Sequence, residues 1–557
     1  MGFGGQWGGR IVVPATQSDG VISAYAFTDA NALSNAAETA WTDNTKNLLL
    51  NNGSATTYTL TGSRTLNALT LGTNSTVAGT QTLALGADGG VGQAILNSGG
   101  TINNTVTLTA GSGANTNAEL QIYVNGGSFH GKISDNGATR VSVVFNGVSG
   151  GATPAGAGAW TYSGDTIYNT SFRITVANFL PYGMGKGNVY VLANAALGGG
   201  GGQSLTINGL YGNGNCSPNI LSLGYGDANG DFSGILSPTS AGTGSFAKYG
   251  SGTQSLRGLS SYAGGTTING GVLVVGSLQN GGSASAIGAS PKMAAALIFN
   301  AMPALVGSYS AATPTLRYIG VPQADTDRLF TLGTNMVSAG VYAGAIEADA
   351  GAGALNFNNT NAIAFSGSGP RTLVLGGSNS YANTFAPAIA DGPGGATSLL
   401  KTGPSTWLLT GNNTFSGGMT VSGGILGGTG SLGGTVTNQA IITAADTNSI
   451  GMLTVANLVM AENSTYVWNY NGSTQDLINV TGTLTLPTVA TVNVSQVSGT
   501  MPKPAVLFTF VTGAGAAASN GTLVGWVING ARPGTRVRVL NGQVIMDTPK
   551  GTLISIF

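Results

Sequence analysis

The chain has one cysteine, one histidine, and 19 basic against 19 acidic residues in a length of 557. The lone Cys216 excludes an intrachain disulfide framework, and no zinc site can be assembled from Cys and His spacing. In its turn-like setting, NGNCSPN, an inert thiol is the plainer reading and an intermolecular bridge the alternative. Zero net charge leaves no basic stripe to displace counterions, which removes the electrostatic case for a nucleic-acid partner or an anionic membrane surface. Arg532, Arg536 and Arg538 form the one basic cluster, and read as the solvated face of a terminal strand rather than a phosphate site. No apolar run is long enough to span a bilayer as a helix. The opening MGFGGQWGGRIVVP lacks the charged and continuous apolar regions of a secretory signal. Helical patterning is scarce too; ANALSNAAETAW from Ala30 reads as one short helix within an N-terminal cap.

What the chain has in quantity is glycine, 93 residues, beside a hydrophobic fraction of 42%. Glycine without a strict three-residue period excludes collagen. Apolar content at such low charge argues against disorder. Val, Ile, Thr and Leu runs favour strands, and the Gly, Asn and Ser clusters between them favour turns. Segments such as TYTLTG, TLNALTLG and TINNTVTLTAG alternate with period two. The fold class is all-β.

Two stretches repeat each other: AKYGSGTQSLRGLSSYAGGTTINGGVLVVGSL from Ala247 and LKTGPSTWLLTGNNTFSGGMTVSGGILGGTGSL from Leu400. Lys248 aligns with Lys401, Gly250 with Gly403, and Tyr262 with Phe415. The pair Gly264 and Gly265 aligns with Gly417 and Gly418, and Gly270 and Gly271 with Gly423 and Gly424. A worn third copy at WTYSGDTIYN places Tyr162, Gly164 and Asn169 where Tyr262, Gly264 and Asn269 stand. Spaced self-similarity predicts stacked coils. Alternate apolar residues then point inward, and paired glycines turn the corners with positive φ. The aromatic at Tyr262 and Phe415 is expected to pack over a glycine corner. We expect an N-terminal cap over 1–47, a solenoid over 48–438 and a β-rich C-terminal capping domain over 439–557. The stretch 285–310 is less regular and reads as a bulge or a broken coil.

These residues resemble the autotransporter-associated β-strand repeat, also called the passenger-associated transport repeat. Its pattern of lysine, glycine, Thr-Leu strand, Gly-x-Asn-x-aromatic turn and Gly-Gly-x-Thr-hydrophobic-x-Gly-Gly-x-Leu is filled by Lys401, Gly403, Leu409, Gly411, Asn413, Phe415, Gly417, Gly418, Thr420, Val421, Gly423, Gly424 and Leu426. Lys248 to Leu273 fill it with one departure, Ser260 in place of the asparagine. The resemblance implies a right-handed parallel β-helix, exported and displayed on or beyond a bacterial surface; it implies no activity. The residues after Asn438 are too few for the membrane barrel that usually closes such proteins, so a passenger-like segment without that barrel is expected.

Chemistry-bearing residues are few. His130 in SFHGKISD has Ser128 and Asp135 nearby in sequence, but sequence adjacency does not make a triad, and a turn histidine is the plainer reading. A polysaccharide-cleaving β-helix can work with carboxylates alone; Asp227 with Asp231, and Asp325 with Asp327, stand an even number of residues apart, on one face of a strand. Asp227, Asn229 and Asp231 also suggest a weak calcium site, though the closing glutamate of an EF-hand loop is missing and an Asx-rich turn is favoured. The expectation is therefore a non-catalytic, cofactor-free structural protein of the cell surface or matrix. Copies of itself, and surface glycans, are its expected partners, with assembly into filaments or layers. The competing expectation is a glycan-cleaving or glycan-binding β-helix.

Overall fold

The computed structural model describes residues 32–547 apart from 87–90, 98, 112–115, 153–158, 175, 200–202, 238–243, 336–339 and 512–520. Residues 1–31 of the expected N-terminal cap lie outside the described residues. Contacts divide the chain into Met1–Val141 and Ser142–Phe557. Each is a stack of coils.

In the first unit, Leu48, Leu69, Ala94 and Ile122 form one column of parallel-paired residues, all fully buried. A second face stacks Leu83, Leu108 and Ile133, and a third runs through Thr56–Leu60, Ser75–Gly79 and Thr101–Ile102. Each step up the stack takes on the order of 20–30 residues. The expected helix from Ala30 is instead the strand Ala32–Ser34, paired parallel with the next coil, and a single 3-10 turn at Glu38–Ala40. Tertiary contacts override the Ala-rich propensity there. Trp41 is fully buried and donates its indole N–H to Ala36 O (3.1 Å), while the Glu38 carboxylate takes the Thr61 amide and the Arg64 guanidinium.

In the second unit a column climbs through Phe232, Leu256, Val275, Tyr318 and Ala348. Its companions are a seven-stranded sheet ending at Ala364–Phe365 and a nine-stranded sheet ending at Trp526–Asn529. Among the described strands, every pairing is parallel up to the last turn. The all-β, parallel β-solenoid read from the sequence is the fold. Stacking already joins Ala32–Ser34 to Asn47–Leu50 and continues past residue 438 through Met452–Met460, Leu477–Val480 and Ala505–Phe510. There the pattern changes. Gln543–Asp547 lies antiparallel on Ala505–Phe510 and is itself paired antiparallel with Arg536–Leu540. This hairpin covers the open edge of the last coil with charged side chains, including the Arg538–Asp547 ion pair.

The two repeats occupy different faces. The strand Ser245–Lys248 belongs to the seven-stranded sheet. The column through Leu256, one strand later in the first repeat, climbs to Arg371–Gly377, whose Leu375 pairs with Lys401. The second copy is thus displaced by one face around the cross-section. What the repeat conserves is a local corner rather than a position in the rod.

Candidate functional site

The repeat lysines are the most unexpected residues in the structure. Lys248 and Lys401 end strands with alternating burial, Ser245–Lys248 and Thr397–Lys401, and both are fully buried. The Lys401 ammonium donates to Thr402 O (2.8 Å), Gly403 O (2.9 Å) and Gly423 O (2.9 Å). Lys248 reproduces the cage on Tyr249 O, Gly250 O (3.2 Å) and Gly270 O (3.4 Å). In each case two carbonyls come from the corner beside the lysine and the third from the next coil. Three donors meet three acceptors, which is the full capacity of an ammonium group. Burial pulls Lys248 down to about 7, only partly opposed by the Asp227 carboxylate, and pulls Lys401 down to about 8.

Glycine leaves room for the cage. Gly271 and Gly424 have φ of +64° and +66°. A Cβ at Gly424 would lie 2.4 Å from Gly403 O and 2.7 Å from the Lys401 ammonium; one at Gly271 would lie 2.4 Å from Gly250 O. Gly265 O and Gly418 O accept the amides of Phe246 and Leu399, two residues before each lysine, at 3.0 and 3.1 Å. Gly264 donates its amide to Gly244 O (2.8 Å), and a Cβ at Gly417 would lie 2.2 Å from Thr397 O.

Asn413 is a second inter-coil tie. Its side chain accepts the Ile389 amide (3.1 Å) from the coil below and donates to Gly411 O (2.9 Å) and Ser431 O (3.0 Å). Ser260, the departure in the first copy, keeps the lower half of that tie by accepting the Leu236 amide at 3.1 Å. Tyr262 and Phe415 are buried, and the Tyr262 hydroxyl bonds Thr266 Oγ1 at 2.7 Å. The worn copy keeps the same pair, Tyr162 with Thr166 at 2.5 Å, but has Val148 where a lysine would stand.

The residues singled out for chemistry are dispersed. The Asp227 carboxylate accepts the Ser251 and Ser310 amides (2.8 Å each) and the Ser310 hydroxyl (2.5 Å). Asn229 accepts the Thr253 amide, and Asp231 faces Arg257 at 2.9 Å. Asp227 sits in the left-handed region, φ +56°, within a turn. Strand alternation therefore does not bring it beside Asp231. Asp325 accepts amide hydrogens from Asn356 (2.8 Å) and Gln323 (2.9 Å), whereas Asp327 accepts the Gly281 amide and faces Lys292. Ser128 lies near the end of the strand Asn117–Phe129 and His130 just past it, while the Asp135 carboxylate accepts the Val141 amide at 2.8 Å. Cys216 is buried, and burial pushes its thiol up to about 12. The cavity beside it, walled by Leu221, Phe246 and Tyr262, holds about 10 Å³, the space of one water.

The passenger-associated-transport-repeat family profile matches residues 246–275 and 399–427. The chain carries two of these repeats. Over 215 residues, 37% of its length, it is 35% identical to the adhesin BmaC autotransporter of Brucella suis biovar 1 (strain 1330), and it spans about 6% of that relative's length. The lysine cages and the Asn413 tie are the physical content of the matched segments. The location is extracellular or at the cell surface.

Proposed function

We propose that the chain is a non-catalytic, adhesin-like passenger segment: a solenoid whose interior is self-contained and whose outer surface makes the contacts. The observation that carries this reading is the fate of the polar residues. Each carboxylate considered for glycan cleavage is held by a different set of internal partners, and both repeat lysines are sealed in carbonyl cages. Such residues stiffen a display scaffold. The adhesin relative supports the direction of the reading.

Matrix formation through copies of the chain belongs to the same proposal. The charged hairpin at 536–547 blocks one open sheet edge, so layers would grow side by side rather than by end-to-end addition through that edge. The test is display on a bacterial surface that otherwise does not adhere, scored on host cells and extracellular matrix. Adhesion above the empty-surface control supports the reading. Hydrolysis of a polysaccharide panel that disappears in Asp227→Asn or Asp325→Asn would replace it with the enzymatic one.

A further inference from the structure

Four tyrosines from separate coils and one long loop meet on a single face of the second unit. The Tyr225 ring centroid lies 5.2 Å from Tyr182, 5.0 Å from Tyr249 and 5.4 Å from Tyr309, with Tyr182 and Tyr309 edge-on at 74° and 90°. Tyr249 and Tyr309 are 5.4 Å apart. The irregular stretch identified in the sequence builds this arrangement. After the strand Leu297–Phe299 the chain runs back over earlier coils as a strap, closed at its tip by the Leu305–Tyr309 bridge. The strap is fixed at three points. Met184 donates its amide to Gly307 O (3.0 Å), Gly226 donates to Ser308 O (2.5 Å), and Ser310 donates to the Asp227 carboxylate. Asp227, a candidate for cleavage or calcium on sequence grounds, is the anchor that places Tyr309.

Three properties of the cluster define a ligand. Its rim is exposed and apolar: Tyr182 is 40% exposed, Met184 47%, Leu305 52% and Val306 99%. Its hydroxyls are spare. Tyr162, Tyr262 and Tyr318 spend theirs on Thr166, Thr266 and Pro322 O, whereas those of Tyr182, Tyr225, Tyr249 and Tyr309 have no protein partner among the described residues, although Tyr309 is only 7% exposed. Lastly, no free charge among the described residues faces the cluster. Asp227 is held by Ser251 and Ser310, Lys248 is caged, and Lys186 is turned to Thr161 O and Tyr162 O. A charged ligand would find no counter-ion there, whereas a neutral polyhydroxylated ring finds aromatic surface for its C–H face and phenols for its hydroxyls.

We infer that this tyrosine cluster is a binding platform for uncharged saccharides. The inference rests on the adhesin reading and gives it a ligand class. The test is the purified segment on an array of neutral, sialylated and sulfated glycans, followed by calorimetric titration of the best neutral oligosaccharide. Tyr182→Ala removes an exposed ring, and the double variant Tyr249→Phe with Tyr309→Phe removes hydroxyls while keeping both rings; thermal melts verify folding. Binding confined to neutral glycans, weakened about tenfold or more in each variant, supports the platform. It is overturned by an array without neutral hits, by binding only to anionic glycans, by affinities unchanged in both variants, or by the patch burying itself in a protein partner or a second copy. Cells displaying Tyr182→Ala that adhere as well as wild type would sink the platform and leave adhesion standing. Loss of adhesion by wild-type display would sink the adhesin reading, while the array reports on the platform by itself.

Discussion

Lys401→Met is the sharpest perturbation of the repeat. Methionine keeps the apolar stem and removes the ammonium, leaving Thr402 O, Gly403 O and Gly423 O without that donor. Hydrogen bonds to a charged donor contribute about 1.5–3 kcal/mol each, so the gross loss is about 5–9 kcal/mol. Against this stands the relief of holding a buried charge. With the lysine pulled from 10.5 to about 8, that relief is about 3 kcal/mol at neutral pH. The net expectation is a destabilisation of about 2–6 kcal/mol. Because stacked coils interact mainly with their neighbours, the loss should be local. Hydrogen exchange should accelerate at Thr402 and Ser422, whose amides donate to Leu375 O and Lys401 O, with little change in the first unit. Urea unfolding supplies the global figure. If Lys401→Met is as stable as wild type or more so, the buried ammonium is a net burden, as some buried ion pairs are, and the cage does not hold the coils together.

The same lysines set a pH dependence. Their folded values lie below the unfolded one, so stability is reduced at low pH and begins to recover at about pH 7 for Lys248 and about 8 for Lys401, rising on toward the unfolded value of 10.5; Tyr162 and Tyr262, raised by burial, oppose that rise above about pH 10. Urea midpoints should therefore climb from about pH 7 and peak near pH 10, and Lys401→Met should flatten part of the rise. Gly424→Ala puts a Cβ 2.7 Å from the Lys401 ammonium at a positive φ; a loss of about 2 kcal/mol or more in urea unfolding is expected. Asp227→Ala removes the anchor of the strap and should speed proteolysis within 302–310, leaving the coil amides of the first unit unchanged. Deleting 530–547 uncovers the edge of Ala505–Phe510, and light scattering should then show stronger concentration-dependent association than wild type shows.

The all-β, stacked character was legible because period-two alternation and glycine corners are direct consequences of strand geometry. The buried lysines carried a readable signal that composition obscured. Phe246 and Lys248 share one side of their strand, as do Leu399 and Lys401, so the alternation that sends the apolar residue inward sends the lysine with it. The usual exposure of lysine argues the other way, and only the corner carbonyls resolve the conflict. The paired aspartates misled for the opposite reason. Strand parity does not carry across Asp227, which sits in a left-handed turn where alternation stops. The strap and the one-face displacement between the copies depend on contacts far apart in sequence, such as Asp227 with Ser310 and Leu375 with Lys401, and no local pattern encodes them.

A chain with one cysteine and few ion pairs still has to lock coil to coil, and the repeats show how it does so. Apolar columns alone fix which face points inward but leave register soft, since Leu, Val and Ala interchange along them. A buried ammonium removes that freedom. It is costly unless all three donors are met, and they are met only when the carbonyl of the next coil, Gly270 or Gly423, arrives in one register. Asn413 imposes the same condition with its amide on both neighbouring coils. A slipped coil would strand a buried charge and a buried amide together, at a cost of several kcal/mol. On this argument the repeat is a register lock, which is why its two copies keep the same residues while changing face.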